Sequence, residues 1–523
     1  MPKTDTSEAG LETTIVNAML ERGWVQSHPG DYNREYALDL VQLEAFIQAT
    51  QPDVLDHLSL DPEEPAGRQF LARVQGEIAK NGVIKVLRDG VSHGRISELR
   101  LFYGTPSEGN PTAQAQYAAN RFSVTRQLHY SQDETRLALD LCLFINGLPV
   151  ATFELKNSLT KQTVEDAVQQ YKRDRDSREL LFQFGRCVVH FAVDDAEVRM
   201  CTHLQDGKSW FLPFNKGWND GAGNPPGDGI KTDYLWKQIL TPDSLTNILE
   251  YFAQVVEKKD EKTGKKRKQQ VFPRYHQLSV VRSLLADVRQ KGAGHRYLIQ
   301  HSAGSGKSNS IAWLAHQLVG AEHNGSPAFD SIIVVTDRVI LDQQIRDTIK
   351  QFAQVNSLVG HAQRSGDLRS FIESGKKIII STVQKFPFIL DEIGNDQRTR
   401  NFAIIIDEAH SSQGGRTSAA MSMALSEAGE VEEEESTEDI INRLMEARKM
   451  LDNASYFAFT ATPKNKTLEI FGESYPEGGV IKHRPFHSYT MKQAIQERFI
   501  LDVLQHYTPI ESYYRLTKTI EGD

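Results

Sequence analysis

Three cysteines in 523 residues are too few for a disulfide framework, and Cys142, Cys187 and Cys201 lie in largely apolar surroundings without the paired spacing of a zinc site. Their scarcity excludes the small stapled scaffolds of secreted proteins and points to a reduced, cytoplasmic setting. Long apolar runs are missing too. No stretch approaches the roughly 20 residues of a membrane span, and the opening MPKTDTSEAG has no apolar signal core, so no membrane partner is expected. Nor is there a surplus of positive charge: 60 Lys and Arg stand against 69 Asp and Glu, a formal net charge of −9. Any nucleic-acid surface must then be a local patch, because the overall field repels phosphate. What the chain does have is length, enough for about two to four domains with a core each.

The strongest local pattern lies past the middle. In Ile299-Gln-His-Ser-Ala-Gly-Ser-Gly-Lys-Ser308 an apolar strand signal runs into a glycine-bearing loop and then into a helix-like run, Ile311 to Leu318. Gly304 and Gly306, with Ser305 between them, let successive N–H groups converge on phosphates, and the helix presents its positive end to them. Lys307 would reach the β- and γ-phosphates of ATP, and the Ser308 hydroxyl would hold Mg²⁺. His301 stands where the Walker A pattern has its first glycine, a position that helicase-like ATPases often relax.

ATP hydrolysis also needs a second ligand for the metal and a group that orients water. Phe402-Ala-Ile-Ile-Ile-Asp-Glu-Ala-His410 supplies both, as a buried strand that delivers Asp407 toward Mg²⁺ and Glu408 toward the attacking water at its carboxyl end. His410 completes a DEAH box. Gln277 precedes the loop lysine by about 30 residues, where helicase-like ATPases place a glutamine that reads adenine. The runs Ile332 to Arg338, Lys377 to Gln384 and Ser455 to Pro463 complete an alternating α/β pattern, which predicts a parallel sheet with helices on both faces.

The first half reads differently. Helical patterns cover about 7–22, 38–48 and 67–80; alternating residues in Gly82-Val-Ile-Lys-Val-Leu, 97–103 and Phe122-Ser-Val-Thr-Arg-Gln-Leu predict half-buried strands. From Thr135 to Lys156 the sequence reads as a hairpin turning at Asn146-Gly147. Period two puts Glu154 and Lys156 on one face of the second strand, and pairing can bring Asp140 near them. Two carboxylates and an ammonium on an otherwise apolar sheet are costly unless they bind a cation, although the pattern alone also fits an ordinary solvated strand face. The spacing resembles the PD-(D/E)xK nucleases, with Leu139 where proline is common there. That resemblance gives Asp140, Glu154 and the Leu155 carbonyl to Mg²⁺, and gives Lys156 to orient or deprotonate water. A helix from Val164 to Lys172 offers Glu165, Gln169 and Tyr171 to the same site, or simply a wet face.

Strand-like runs at 186–192 and 197–201, a loop at 217–229 and a helix from Leu240 to Val256 follow. The run Lys258 to Lys268 reads as a solvated basic linker, or alternatively as a DNA-backbone contact. An acidic insert, Glu430 to Glu438, reads as an exposed loop. The expected domains are a nuclease domain over 1–240, a helix and linker over 241–270, a first RecA-like motor domain over 271–485, and a lead into a second motor domain over 486–523. The roughly 60 residues after Pro463 are too few for that second domain, so the chain is expected to be the front portion of a longer subunit.

The whole ordered set resembles the R (restriction, motor) subunit of type I restriction–modification enzymes. It is carried by Asp140…Phe-Ile-Asn-Gly-Leu-Pro…Glu154-Leu-Lys156, Gly223-Asn-Pro225 with Tyr234-Leu-Trp236, Ser302-Ala-Gly-Ser-Gly-Lys-Ser308, Thr336-Asp-Arg338, Asp407-Glu-Ala-His410 and Thr460-Ala-Thr-Pro463. The family often has a glutamine four residues before a tyrosine after the nuclease lysine; here Ala167 precedes Tyr171, with Gln169 and Gln170 nearby. The resemblance implies an α/β fold, a PD-(D/E)xK-like mixed-sheet domain followed by a RecA-like motor. It also implies backbone contacts to double-stranded DNA from Thr336–Arg338 and Thr382–Gln384, and coupling of hydrolysis to movement through Thr460–Thr462. Partners would be a methyltransferase subunit and a specificity subunit. Two other readings stand beside it: a DNA remodeller or helicase ATPase whose N-terminal domain only binds DNA, and a nucleotide sensor, against which Glu408 argues.

Overall fold

A computed structural model describes residues 8–107, 109–157, 161–227, 229–259, 264–336, 359–362, 365–385, 389–390, 399–407 and 451–501, with positions 348, 349, 393, 441, 442 and 445. It divides into two compact units, Met1–Lys216 with Gly223–Arg282, and Gly217–Ala222 with Ser283–Asp523.

The first unit is built on a seven-stranded mixed sheet. Its strands β1 (Val25–Ser27), β2 (Phe122–His129), β3 (Ala138–Ile145), β4 (Leu148–Leu155), β5 (Val189–Val193), β6 (Val198–Cys201) and β7 (Leu212–Pro213) lie side by side in chain order. Pairing is parallel at β1–β2 and β4–β5 and antiparallel elsewhere. The β3–β4 hairpin turns at Asn146 and Gly147, both at positive φ (50° and 81°), as a tight turn matched to strand twist requires. Asn146 is further fixed by its side chain: Oδ1 accepts from Arg121 N, and Nδ2 donates to Leu101 O at 2.9 Å and Asn120 Oδ1 at 2.9 Å.

Around the sheet lie α1 (Glu8–Leu20), α2 (Leu40–Thr50), α3 (Pro65–Asn81), α4 (Val83–Asp89), α5 (Val164–Arg173) and α6 (Pro242–Tyr251). Helix α5 packs on β4 and β5, burying Val164, Ala167, Val168 and Tyr171. Two expectations are corrected here. The run after Gly82 is the helix α4 and not a strand. Gly82 and Gly90 bracket it at φ 83° and 73°, and its buried residues Val83, Ile84, Val86 and Leu87 recur at helical spacing, which a six-residue window does not separate from alternation. The helix predicted to reach Val256 stops at Tyr251, where Arg88 takes up the end carbonyls, Nε to Leu249 O at 2.7 Å and Nη2 to Ala253 O at 2.6 Å.

The basic run is also no free linker. Its flanks are the antiparallel strands β8 (Gln254–Lys259) and β9 (Lys266–Val271). Gln270 ties β9 to the sheet by donating to Cys187 O at 2.7 Å and Val188 O at 2.8 Å, and Lys268 Nζ donates to Lys80 O at 2.7 Å.

The second unit holds β10 (Arg296–His301), β11 (Ser331–Thr336), β12 (Val359–His361), β13 (Ile378–Thr382), β14 (Phe402–Asp407), β15 (Ala454–Thr460) and β16 (His487–Tyr489) in one sheet, every recorded pair parallel, in the order β12-β13-β11-β14-β15-β10-β16. The strands are buried almost throughout, the continuous apolar reading that a sheet covered on both faces gives. Helix α7 (Tyr275–Lys291) precedes β10 and α8 (Lys307–Val319) follows it. The acidic insert lies outside the described residues. Among the described residues no helix is long and apolar enough to cross a membrane.

Candidate functional site

The first unit brings together the three residues expected on the hairpin. Leu141 pairs with Phe153, and continuing that register sets Asp140 opposite Glu154. The Asp140 carboxylate reaches across the hairpin, its Oδ2 accepting from Leu155 N at 2.7 Å. Glu154 is 0 % exposed, because α5 and the turn after it cover this face of β4. Lys156, also buried, continues the same face, and its N–H donates to Val193 O at 2.9 Å to extend the β4–β5 ladder.

The residue that sequence reasoning missed is Arg175. Its Nε donates to Glu154 Oε1 at 2.6 Å and its Nη2 to Ala138 O at 2.8 Å, and the guanidinium lies 5.6 Å from the Tyr130 ring centroid. Nothing in the run Lys172-Arg-Asp-Arg175 distinguishes this arginine from the cations that ordinarily end a helix. The other carboxylate oxygen, Glu154 Oε2, is buried without a hydrogen-bond partner. Burial pushes the Glu154 carboxyl up to about 8 against the pull of Arg175, and Asp140 adds to the rise.

A buried carboxyl oxygen left unbonded beside a second carboxylate can be satisfied by a further cation. Among the described residues no three His, Cys, Asp or Glu side chains are placed to hold a metal. Two carboxylates with a main-chain carbonyl nevertheless form the all-oxygen set that Mg²⁺ takes when substrate phosphates complete its shell. The orphaned, buried Oε2 fits that use.

The residues expected on α5 divide. Tyr171 is core, its OH 2.8 Å from Thr152 Oγ1, which in turn lies 2.8 Å from His190 Nδ1. Gln169 donates to Glu165 at 2.9 Å on the exposed side, and Gln170 is half-buried.

In the second unit the parallel register carries the nucleotide candidates to one edge of the sheet. Gln300 pairs with Thr460 and Phe459 with Asp407, so the loop after β10 and the ends of β14 and β15 share the carboxyl edge where such sheets bind ligands. Gly304 and Gly306 have φ of 72° and 76°, and Gly306 is the left-handed N-cap of α8. Ser305 is buried and Ser308 half-buried on the first turn. Lys307 Nζ donates to His301 O at 3.3 Å, which keeps the ammonium over the loop. Asp407 is buried at the end of β14. Glu408 and His410 lie outside the described residues, as do Asp337 and Arg338. Gln277 is buried, and its Oε1 accepts from Arg274 N at 2.9 Å, capping the start of α7.

Comparison with known proteins matches both halves of the chain. The family model for the type I restriction enzyme R protein N terminus matches residues 5–209, and that for the SWI2/SNF2 ATPase matches residues 276–519. The chain is 27% identical over 378 residues to the type I restriction enzyme HindI endonuclease subunit of Haemophilus influenzae, covering 68% of this chain and 32% of that one. It is 22% identical over 519 residues to the SauMRSORF196P endonuclease subunit of Staphylococcus aureus MRSA252, covering 95% and 46%. The chain therefore spans less than half the length of these curated relatives. Among solved structures it is similar to the Pyrococcus furiosus Hef helicase domain at 15% identity, over 36% of this chain and 34% of that one, with a TM-score of 0.24, too low to carry a statement about the fold. The resemblance to type I restriction R subunits extends over both units of the chain, with the match to the R protein N terminus in the first half and the match to the SWI2/SNF2 ATPase in the second.

Proposed function

We propose that this chain is the nuclease and first motor portion of a type I restriction R subunit, which moves double-stranded DNA at the expense of ATP and cleaves it. The nuclease domain occupies about 1–240 and the motor 271–485. The observation that supports this most is the pairing of Asp140 and Glu154 across one hairpin, with Glu154 Oε2 buried and unbonded, in a chain that also carries the phosphate cradle.

In the nuclease, Asp140, Glu154 and the Leu155 carbonyl would hold Mg²⁺, and Lys156 would orient the attacking water or take its proton at Nζ. In the motor, the N–H groups of the 304–306 loop and the N-terminus of α8 would bind the phosphates, with Lys307 on the β- and γ-phosphates, Ser308 and Asp407 on Mg²⁺, Gln277 on adenine and Glu408 on water. Bound Mg²⁺ supplies Lewis-acid polarisation of phosphate oxygens at both places. Target recognition and S-adenosylmethionine would come from partner specificity and methyltransferase subunits. The test is Mg²⁺-dependent plasmid cleavage by wild type and Glu154→Ala with those subunits present. Loss of cleavage with ATP turnover kept is expected, and cleavage by Glu154→Ala refutes the reading.

A further inference from the structure

We infer that Arg175 is a positioning residue for cleavage, holding Glu154 by Oε1 so that Oε2 alone is offered to a cation. The inference rests on the nuclease reading above. Its guanidinium is fixed at three places, by Glu154 Oε1 on β4, by the Ala138 carbonyl on β3 and by Tyr130. Ala138 is two residues before Asp140, so one planar fork fastens the two strands that carry the two carboxylates. A planar group with five donors can do this, whereas a lysine ammonium offers a single point charge on a flexible stem.

The pair is also costly to bury. The side chains of Arg175 and Glu154 are 5% and 0% exposed, and an apolar pair of the same volume would serve stability as well or better. A stability role therefore explains the arginine poorly, while a role in aiming the carboxylate explains both the contact on Oε1 and the orphaned Oε2.

The charges carry a second consequence. Arg175 sets a positive charge against the carboxyls of Asp140 and Glu154, which together carry at most two negative ones, so a divalent cation meets a site with little net negative charge. Substrate phosphates then become part of what binds the metal, which restrains the metal-loaded state in the absence of DNA. Removing Arg175 should do two opposite things: tighten Mg²⁺ binding, because a nearby positive charge is gone and Oε1 is released, and slow cleavage, because the carboxylate is no longer aimed.

The experiment is calorimetric titration of the full chain with MgCl₂ in the absence of nucleotide, on wild type, Arg175→Met, Arg175→Lys and Glu154→Ala. Plasmid cleavage is measured in parallel with partner subunits at saturating Mg²⁺. Arg175→Met should bind Mg²⁺ about tenfold or more tightly and cleave about tenfold or more slowly, with ATP turnover unchanged. Arg175→Lys should bind Mg²⁺ like wild type and cleave at an intermediate rate. Unchanged, weaker or undetectable binding in Arg175→Met overturns the assignment, as does wild-type cleavage. If Arg175→Met does not fold, Arg175→Lys decides, since it keeps the charge but not the fork; wild-type cleavage in it overturns the assignment. Glu154→Ala separates the two failures. Cleavage by that variant removes the nuclease reading itself, whereas an inactive Glu154→Ala beside wild-type behaviour of both Arg175 variants removes only the role given to Arg175.

Discussion

His301 Nε2 lies 3.0 Å from His487 Nδ1, so the residue that occupies the first-glycine position of the phosphate loop is tied to the strand beside it. His301 is buried, with the rings of Phe459 and Tyr489 edge-on to it. Restoring the consensus glycine would leave a cavity in this layer. His301→Gly should therefore lower stability, by on the order of 2–4 kcal/mol, read as a lower denaturation midpoint of the second unit. Unchanged stability would show that the histidine pair is not structural.

Burial pushes His487 down to about 4 from its ordinary 6.5. The native state thus favours the neutral ring, while an unfolded chain takes the proton near 6.5. The stability this contributes is fully present above pH 6.5 and is lost as pH falls toward 4. Denaturation midpoints between pH 7 and pH 4 should fall through that window, and His487→Gln should flatten part of the fall. An equally steep decline in the variant would assign the effect to other groups.

Lys307→Ala should remove ATP turnover without changing the melting temperature, because Lys307 is half-buried on the first turn of α8, outside that helix's core-facing residues. Turnover within a factor of about two of wild type would refute the cradle reading.

The Asn146–Gly147 turn starts the hairpin, and a one-residue register shift between Leu143 and Phe144 then opposes Asp140 to Glu154. A Cβ on Gly147 would meet the Asp39 carbonyl oxygen at 2.3 Å and Leu43 N at 2.9 Å. Gly147→Ala should cost about 2 kcal/mol or more and reduce DNA cleavage more than ATP turnover. Equal loss of both activities would mean that the substitution acts on the whole chain.

Trypsin should leave β9 intact in the native protein. Lys266 to Lys268 are exposed, but their backbone is paired with β8 and Gln270 is anchored on the sheet. Cleavage after Lys266, Arg267 or Lys268 as the first event would show that the hairpin opens readily.

Legibility differed by element for physical reasons. The hairpin was readable because Asn146-Gly147 has a local conformational requirement and the strands beside it alternate. The parallel sheet was readable because runs such as Phe402–Ile406 are continuously apolar. The six residues from Gly82 to Leu87 read as a strand because the four buried positions fit either period, and the choice falls to Gly82 and Gly90 at the ends. The basic run after Lys258 was read by its charge, yet Gln270 decides where it goes. Tyr171 was offered to the site by its place in the sequence, but it faces Thr152 in the core.

The sequence by itself determined the chemistry available: Asp140, Glu154 and Lys156 at strand spacing, and Gly304, Gly306, Lys307 and Asp407 at the ends of strands. These signals are local, because period and turn chemistry act over a few residues. Only the tertiary structure decided that Arg175 closes on Glu154, that His487 meets His301, and that β9 is anchored. Those are contacts between residues far apart in the chain, made where packing brings side chains together, and no local periodicity encodes them.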